Sequence, residues 1–223
     1  MNEISSRLEK IRHDITAYSP YPDKVRLVAV SKRQPMEKIR IAVSAGAEAL
    51  GENRIQDAVR KFDENSFSGV ERHFIGYLQS NKVNKCIRYF HWLHSLQSVN
   101  CARKISGKES NLQCLVEVNI SGEKSKSGLQ PDELRSFLKT IREFRHCRVR
   151  GLMGMAAFNA NTEVIRSSFA HLKELAEQNK DLESSHMSMN ELSMGMTQDY
   201  IIALEEGATM IRIGTGLFGP RQN

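Results

Sequence analysis

The chain has 223 residues, 40% hydrophobic and 26% charged, with 32 basic against 26 acidic side chains. This is the profile of a soluble globular chain able to bury one sizeable core, and it excludes disorder and collagen-like repeats. A net charge of +6 suits nucleic acid, an anionic ligand or plain solubility; the basic residues are scattered rather than massed, so charge alone selects none of these.

No stretch approaches the ~18 consecutive apolar residues of a membrane-spanning helix. Residues 1–10 alternate charged with apolar side chains instead of forming a secretory signal. A cytosolic location without membrane partners is expected. Cys86, Cys101, Cys114 and Cys147 are widely spaced, contain no CxxC pair and sit in apolar or helical surroundings. They are expected as free thiols packed like small hydrophobes, not as a disulfide framework.

In chain order, Ile4, Leu8, Ile11 and Ile15 recur at helical spacing and predict a helix over 4–18, stopped by Pro20 and Pro22. Short runs rich in Val, Ile and Leu then alternate with helical stretches. They predict strands at 26–31, 48–50, 73–77, 92–96, 113–119, 149–153, 191–193 and 210–213. Eight βα units point to an α/β fold of the (β/α)8 barrel type, for which ~250 residues is typical. One domain is expected to fill residues 1–223, with an N-terminal helix in 1–19 and the barrel in 25–219. The polar stretches 121–128 and 181–190 are expected to be the mobile loops.

In such a barrel the chemistry gathers where strands end. The first run delivers Lys32 at its end. Burial disfavours the ammonium, as a Schiff-base amine requires, whereas a lysine capping the rim in solvent is the plainer alternative. The last run leads into Gly214-Thr215-Gly216-Leu217-Phe218-Gly219. Together with Leu192 to Thr197 it falls where this fold holds phosphate, although two ordinary glycine turns would look the same. Arg212 lies on the opposite strand face from Ile211 and Ile213. It would suit the ring nitrogen of pyridoxal phosphate, keeping that atom unprotonated, or it would pair with a barrel carboxylate such as Glu117.

Other patterns carry less. Gly214 to Gly219 also spells GxGxxG, but a dinucleotide fingerprint needs an acidic residue ~20 positions later, and the sequence ends at Asn223. Gly122 to Gly128 has the wrong glycine spacing for a phosphate loop and is expected as a solvated basic loop unless the barrel mouth lies beneath it. His91 and His94 lack a third ligand for zinc, and Met187, Met189, Met194 and Met196 are expected as packing, so no metal is expected.

Taken together, Ala29-Val30-Ser31-Lys32, Gly51-Glu52-Asn53, His73-Phe74-Ile75-Gly76, Leu78-Gln79-Ser80-Asn81-Lys82, Lys126-Ser127-Gly128, Gly151-Leu152-Met153, Leu192-Ser193-Met194-Gly195-Met196 and Arg212-Ile213-Gly214-Thr215 resemble the pyridoxal phosphate homeostasis protein family. That family's fold is similar to the barrel domain of alanine racemase. The resemblance runs from about residue 25 onward, with departures at Leu50, Tyr77 and Asn100. It implies a Schiff base between the cofactor, pyridoxal 5'-phosphate, and Lys32, with Arg212 at the ring nitrogen. Ser193, Gly214 and Thr215 would hold the phosphate, Met194 would stand beside them in the cofactor-binding set, and Asn53 would approach the ring; Asn81 and Lys82 would lie in the next βα region.

The racemases add a second domain and a partner's tyrosine; Phe218-Gly219-Pro220 is followed here by three residues. The resemblance accordingly implies a monomeric, non-catalytic protein that binds, buffers and delivers the cofactor, with apo-enzymes that use it as possible partners. An amino-acid racemase would share the same residues, a Schiff-base aldolase the lysine and the phosphate cup, and a basic nucleic-acid module is disfavoured by the scattered charge.

Overall fold

The computed structural model describes residues 2–64, 67–123 and 126–220. Its elements run α1 (Glu3–Tyr18), β1 (Arg26–Val30), α2 (Met36–Ser44), β2 (Ala49–Glu52), α3 (Ile55–Glu64), β3 (Glu71–Phe74), α4 (Val83–Tyr89), β4 (Trp92–Leu96), α5 (Val99–Ser106), β5 (Gln113–Val118), α6 (Pro131–Ile141), β6 (Arg148–Gly154), α7 (Thr162–Gln178), β7 (Met187–Ser193), α8 (Tyr200–Glu205), β8 (Met210–Ile213) and α9 (Thr215–Phe218). The eight strands pair in parallel in sequence order and close into a barrel, β1 meeting β8 with Val28 opposite Arg212 and Ala29 opposite Ile213.

Period-two alternation divides the strands between two cores. Ala29, Leu50, Phe74, Leu93, Val116, Leu152, Leu192 and Ile213 join the apolar layer beneath the helices. Trp92, Leu115, Met153 and Met210 form a separate cluster inside the barrel. The four cysteines are buried and free. Among the described residues, no helix is long and apolar enough to cross a membrane.

Helix α1 is capped by the Asn2 side chain, which accepts from the Ile4 amide, and buries Ile4, Leu8, Ile11 and Ile15, the expected face. It packs on α2, α8 and α9. Asp14 on the same face is buried, accepting from Tyr200 Oη at 2.6 Å and Lys10 Nζ at 2.9 Å. Those two hydrogen bonds hold its carboxyl below the usual range against the opposing effect of burial. Tyr200→Phe is expected to lower stability by about 2 kcal/mol, the worth of a hydrogen bond to a charged acceptor. The check is a lower urea midpoint at unchanged slope.

Strands β4 and β8 have the bounds expected from sequence, and three others differ by a residue at their ends. The larger corrections have physical causes. Strand β2 continues through Gly51 and Glu52 because the Glu52 carboxylate is buried against α3, 2.6 Å from Lys61 Nζ and 2.7 Å from Ser31 Oγ. Strand β3 starts at Glu71 rather than 73: Glu71 and Arg72 pair with Ala49 and Leu50, and the inward Glu71 meets Arg26 and Trp92. Strand β7 starts at Met187, so the loop expected over 181–190 holds a tight turn at Lys180–Leu182 and then a strand with Met187 and Met189 buried.

Candidate functional site

At the end of β8, alternation turns Arg212 into the barrel with 5% of its surface exposed. Its Nη1 donates to Ser193 Oγ at 2.6 Å and its Nη2 to the Gly154 carbonyl at 3.2 Å. Burial pulls its pKa down to about 10, opposed by the charges of Asp199 and Glu117, so it remains a cation at neutral pH. The carboxylates act on it through space. Glu117 is instead bonded to Ser127 Oγ at 2.6 Å and to Gln97 Nε2 at 3.4 Å, and burial raises its pKa.

Ser127 belongs to the loop expected to be solvated. Its neighbours Lys126 and Gly128 donate to the Ala156 carbonyl at 3.0 Å and to Gln97 Oε1 at 2.9 Å, so this part of the loop lies across the strand ends and is fixed there by hydrogen bonds. Lys124 and Ser125 lie outside the described residues.

Lys32 follows β1 and is half-buried, two residues beyond the inward-facing Val30. Asn53 follows β2, half-buried; its backbone packs so closely on Gly76 that a Cβ there would stand 2.2 Å from its carbonyl oxygen. Asn81 is exposed and Lys82 half-buried in the turn Ser80–Lys82 after β3.

The loops after β7 and β8 meet. Thr197 Oγ1 accepts from the Gly216 amide at 3.1 Å and lies 3.4 Å from Thr215 Oγ1. A side chain on Gly216 would come within 3.0 Å of Thr197 Cγ2, so glycine is what lets the two loops approach. A Cβ on Gly214 would make ordinary contact with Val30 of β1 at 3.7 Å, so this glycine lies against the strand that Lys32 follows.

Two of the expected cofactor residues, Ser193 and Met194, are engaged within the fold. Ser193 is fully buried within the barrel, its hydroxyl committed to Arg212 and, at 2.9 Å, to His94 Nδ1. Met194 points into the layer beneath the helices and its amide is bonded to the Met210 carbonyl at 3.1 Å, so neither its side chain nor its amide is available to a ligand. The hydroxyl facing Thr215 is that of Thr197, which the sequence reading included only as part of the loop. Its signal was a hydroxyl two residues beyond Gly195, past the strand, where alternation no longer turns it inward. His73 and His94, 2.8 Å apart inside the barrel, were missed because they come from different strands and no sequence spacing links them. No cluster of three metal-ligating side chains occurs among the described residues.

The family profile described as alanine racemase, N-terminal domain, matches residues 6–222. The pyridoxal phosphate homeostasis protein of Escherichia coli K12 is 35% identical to this chain over 232 residues, covering 99% of it and 98% of the relative. The protein of the same name from Pseudomonas aeruginosa PAO1 is 37% identical, covering 98% and 94%. PipY of Synechococcus elongatus PCC7942, solved with PLP bound, superposes with a TM-score of 0.85 at 32% identity, over 97% of this chain and all of that one.

Proposed function

This chain belongs to the alanine racemase N-terminal domain family and, within it, to the pyridoxal phosphate homeostasis proteins, and from that premise we propose that it binds pyridoxal phosphate on Lys32 and stores and delivers it in the cytosol without turning over a substrate. The observation that carries this reading is Arg212, a buried cation at the barrel mouth bonded to a hydroxyl and a carbonyl rather than to a carboxylate. Buried charges are normally paired, so a donor-only group so placed suits an acceptor brought by a ligand.

When bound, pyridoxal phosphate supplies an aldehyde that condenses with an amine and a ring that accepts electrons. Each residue then has a task set by its position. Lys32 offers the amine from the end of β1. Arg212 would face the ring nitrogen and, holding its own proton, would leave that nitrogen unprotonated, weakening the ring as an electron sink and favouring storage over catalysis. The hydroxyls of Thr197 and Thr215, with the backbone around Gly214 and Thr215, would hold the phosphate, and Asn53 would flank the ring.

Borohydride reduction followed by peptide mass spectrometry tests the anchor. The wild type is expected to be yellow and to carry the reduced adduct on Lys32, and Lys32→Ala to carry none. A colourless wild type that takes up no added pyridoxal phosphate overturns the reading. Loaded protein is expected to reactivate an apo-enzyme faster than the same concentration of free cofactor. Racemisation of alanine above background that vanishes in Lys32→Ala would replace storage with catalysis.

A further inference from the structure

Behind Arg212 the barrel interior holds a line of polar groups that the function above does not use. Arg212 Nη1 is 2.6 Å from Ser193 Oγ, Ser193 Oγ 2.9 Å from His94 Nδ1, His94 Nε2 2.8 Å from His73 Nδ1, and His73 Nε2 3.3 Å from Glu71 Oε2. Ser193, His73 and His94 are fully buried. Glu71, at the opposite end of the barrel, is held by Arg26 Nε at 3.1 Å and Trp92 Nε1 at 3.3 Å, and Trp92 stacks on His73 with the rings 3° from parallel.

The two ends of this line fix everything between them. A guanidinium can only donate and a carboxylate can only accept. His73 therefore donates from Nε2 to Glu71 and, if neutral, accepts at Nδ1 from His94 Nε2; His94 then accepts at Nδ1 from the Ser193 hydroxyl, whose oxygen accepts from Arg212. Four hydrogen bonds use four protons in a single arrangement. An added proton on either ring would put two donors face to face or strip the serine proton of its acceptor. Burial, which lowers the pKa of both rings, acts in the same direction.

We infer that Glu71, His73, His94 and Ser193 form a one-way hydrogen-bond chain that positions the Arg212 guanidinium at the barrel mouth. A bare arginine stem has several rotamers and loses much entropy on ordering. The chain meets that cost within the fold, so the guanidinium is set before any ligand arrives. The four residues are positioning residues: none reaches the mouth, and each acts through the next. The inference rests on the pyridoxal phosphate reading only for what Arg212 faces, so it is tested first on the ligand-free protein.

Nitrogen-15 spectra of the ligand-free full chain at neutral pH should show His73 and His94 as neutral rings protonated at Nε2. The guanidinium N–H signals of Arg212 should be resolved in the wild type and collapsed in Ser193→Ala and His94→Leu. They should return in His94→Gln, whose amide can accept from Ser193 and donate to His73. A ring protonated at Nδ1, a charged ring, or Arg212 signals unchanged in both disruptive variants would overturn the inference.

Added pyridoxal phosphate gives the second readout. Ser193→Ala should bind it about tenfold more weakly, the loss of one charge-assisted hydrogen bond, with a displaced visible band, and His94→Gln should restore most of both. Equal affinity and an unmoved band in Ser193→Ala would also overturn it. If the wild type binds no pyridoxal phosphate while the nitrogen spectra behave as expected, the cofactor reading fails and the positioning chain stands.

Discussion

Gly151→Ala is expected to leave the purified chain without a cooperative unfolding transition at 25 °C. Gly151 sits in β6 opposite Glu191 of β7, where the pairing register shifts, and a Cβ there would stand 1.9 Å from the Glu191 carbonyl oxygen and 2.8 Å from its nitrogen. Overpacking against a flexible side chain costs about 1–3 kcal/mol because the neighbour can turn away. Here the neighbour is the backbone of a strand in a closed barrel, so relief requires parting β6 from β7. A cost above about 4 kcal/mol is expected, a large share of the roughly 5–15 kcal/mol that holds a domain together. Circular dichroism during thermal and urea unfolding checks it. Gly107→Ala is the control: Gly107 has φ of −67° and a Cβ there would find nothing closer than 3.5 Å, so the change should be neutral or slightly stabilising. A Gly151→Ala midpoint within a few degrees of wild type would show that the two strands are not packed as described.

Stability should also fall steeply as pH drops below the ordinary histidine pKa of 6.5. His73 and His94 are driven below that value chiefly by burial, so the folded state keeps them neutral while the unfolded chain takes up protons. The unfolded state then binds more protons, and each ring that stays neutral removes about 1.4 kcal/mol per pH unit. His91, exposed at the surface but lowered first by partial desolvation and then by the charge of Arg72, adds a smaller part. Glu71 is held at about 2, first by its hydrogen bond from His73, and its contribution is lost only lower, below the ordinary carboxyl value of 4.5. Glu117 and Asp199, raised by burial, act with the opposite sign. Urea midpoints between pH 7.5 and 5.5 should therefore fall, and His94→Gln should flatten the slope by the share of one ring. A flat wild-type profile would mean that the buried rings take up protons within the fold.

The barrel was legible because apolar runs recur at a βα rhythm, and the mouth was legible because Lys32, Arg212 and Gly214 follow directly on such runs. What escaped had its cause in contacts between strands. Glu71 and Arg72 looked like loop because they are charged, yet Glu71 faces inward and is satisfied by Arg26 and Trp92, neither close to it in sequence. The first half of β7 looked polar because Ser188 and Asn190 alternate with Met187 and Met189, and only the pairing with β6 makes it a strand. Strand alternation turns Ser193 inward toward Arg212, and its bond to His94 joins strands that no sequence spacing links. The loop carrying Ser127 is exposed at Gly122, Glu123 and Ser127, as its polarity suggests, but nothing in its composition marks Glu117 and Gln97 as its partners.

Barrel closure has a consequence for synthesis on the ribosome. The first strand finds its second neighbour only in β8, and α1 packs against α8 and α9, helices that follow β7 in the chain. Lys38 of α2 donates to the Phe218 carbonyl at 3.2 Å, a separation of 180 residues. A nascent chain with seven strands complete has an open edge on β1, a template for pairing with another chain, and an apolar α1 face without its full partners. The vulnerable interval is thus the one between the completion of β7 and that of β8, when one short strand converts an open sheet into a ring with no edge.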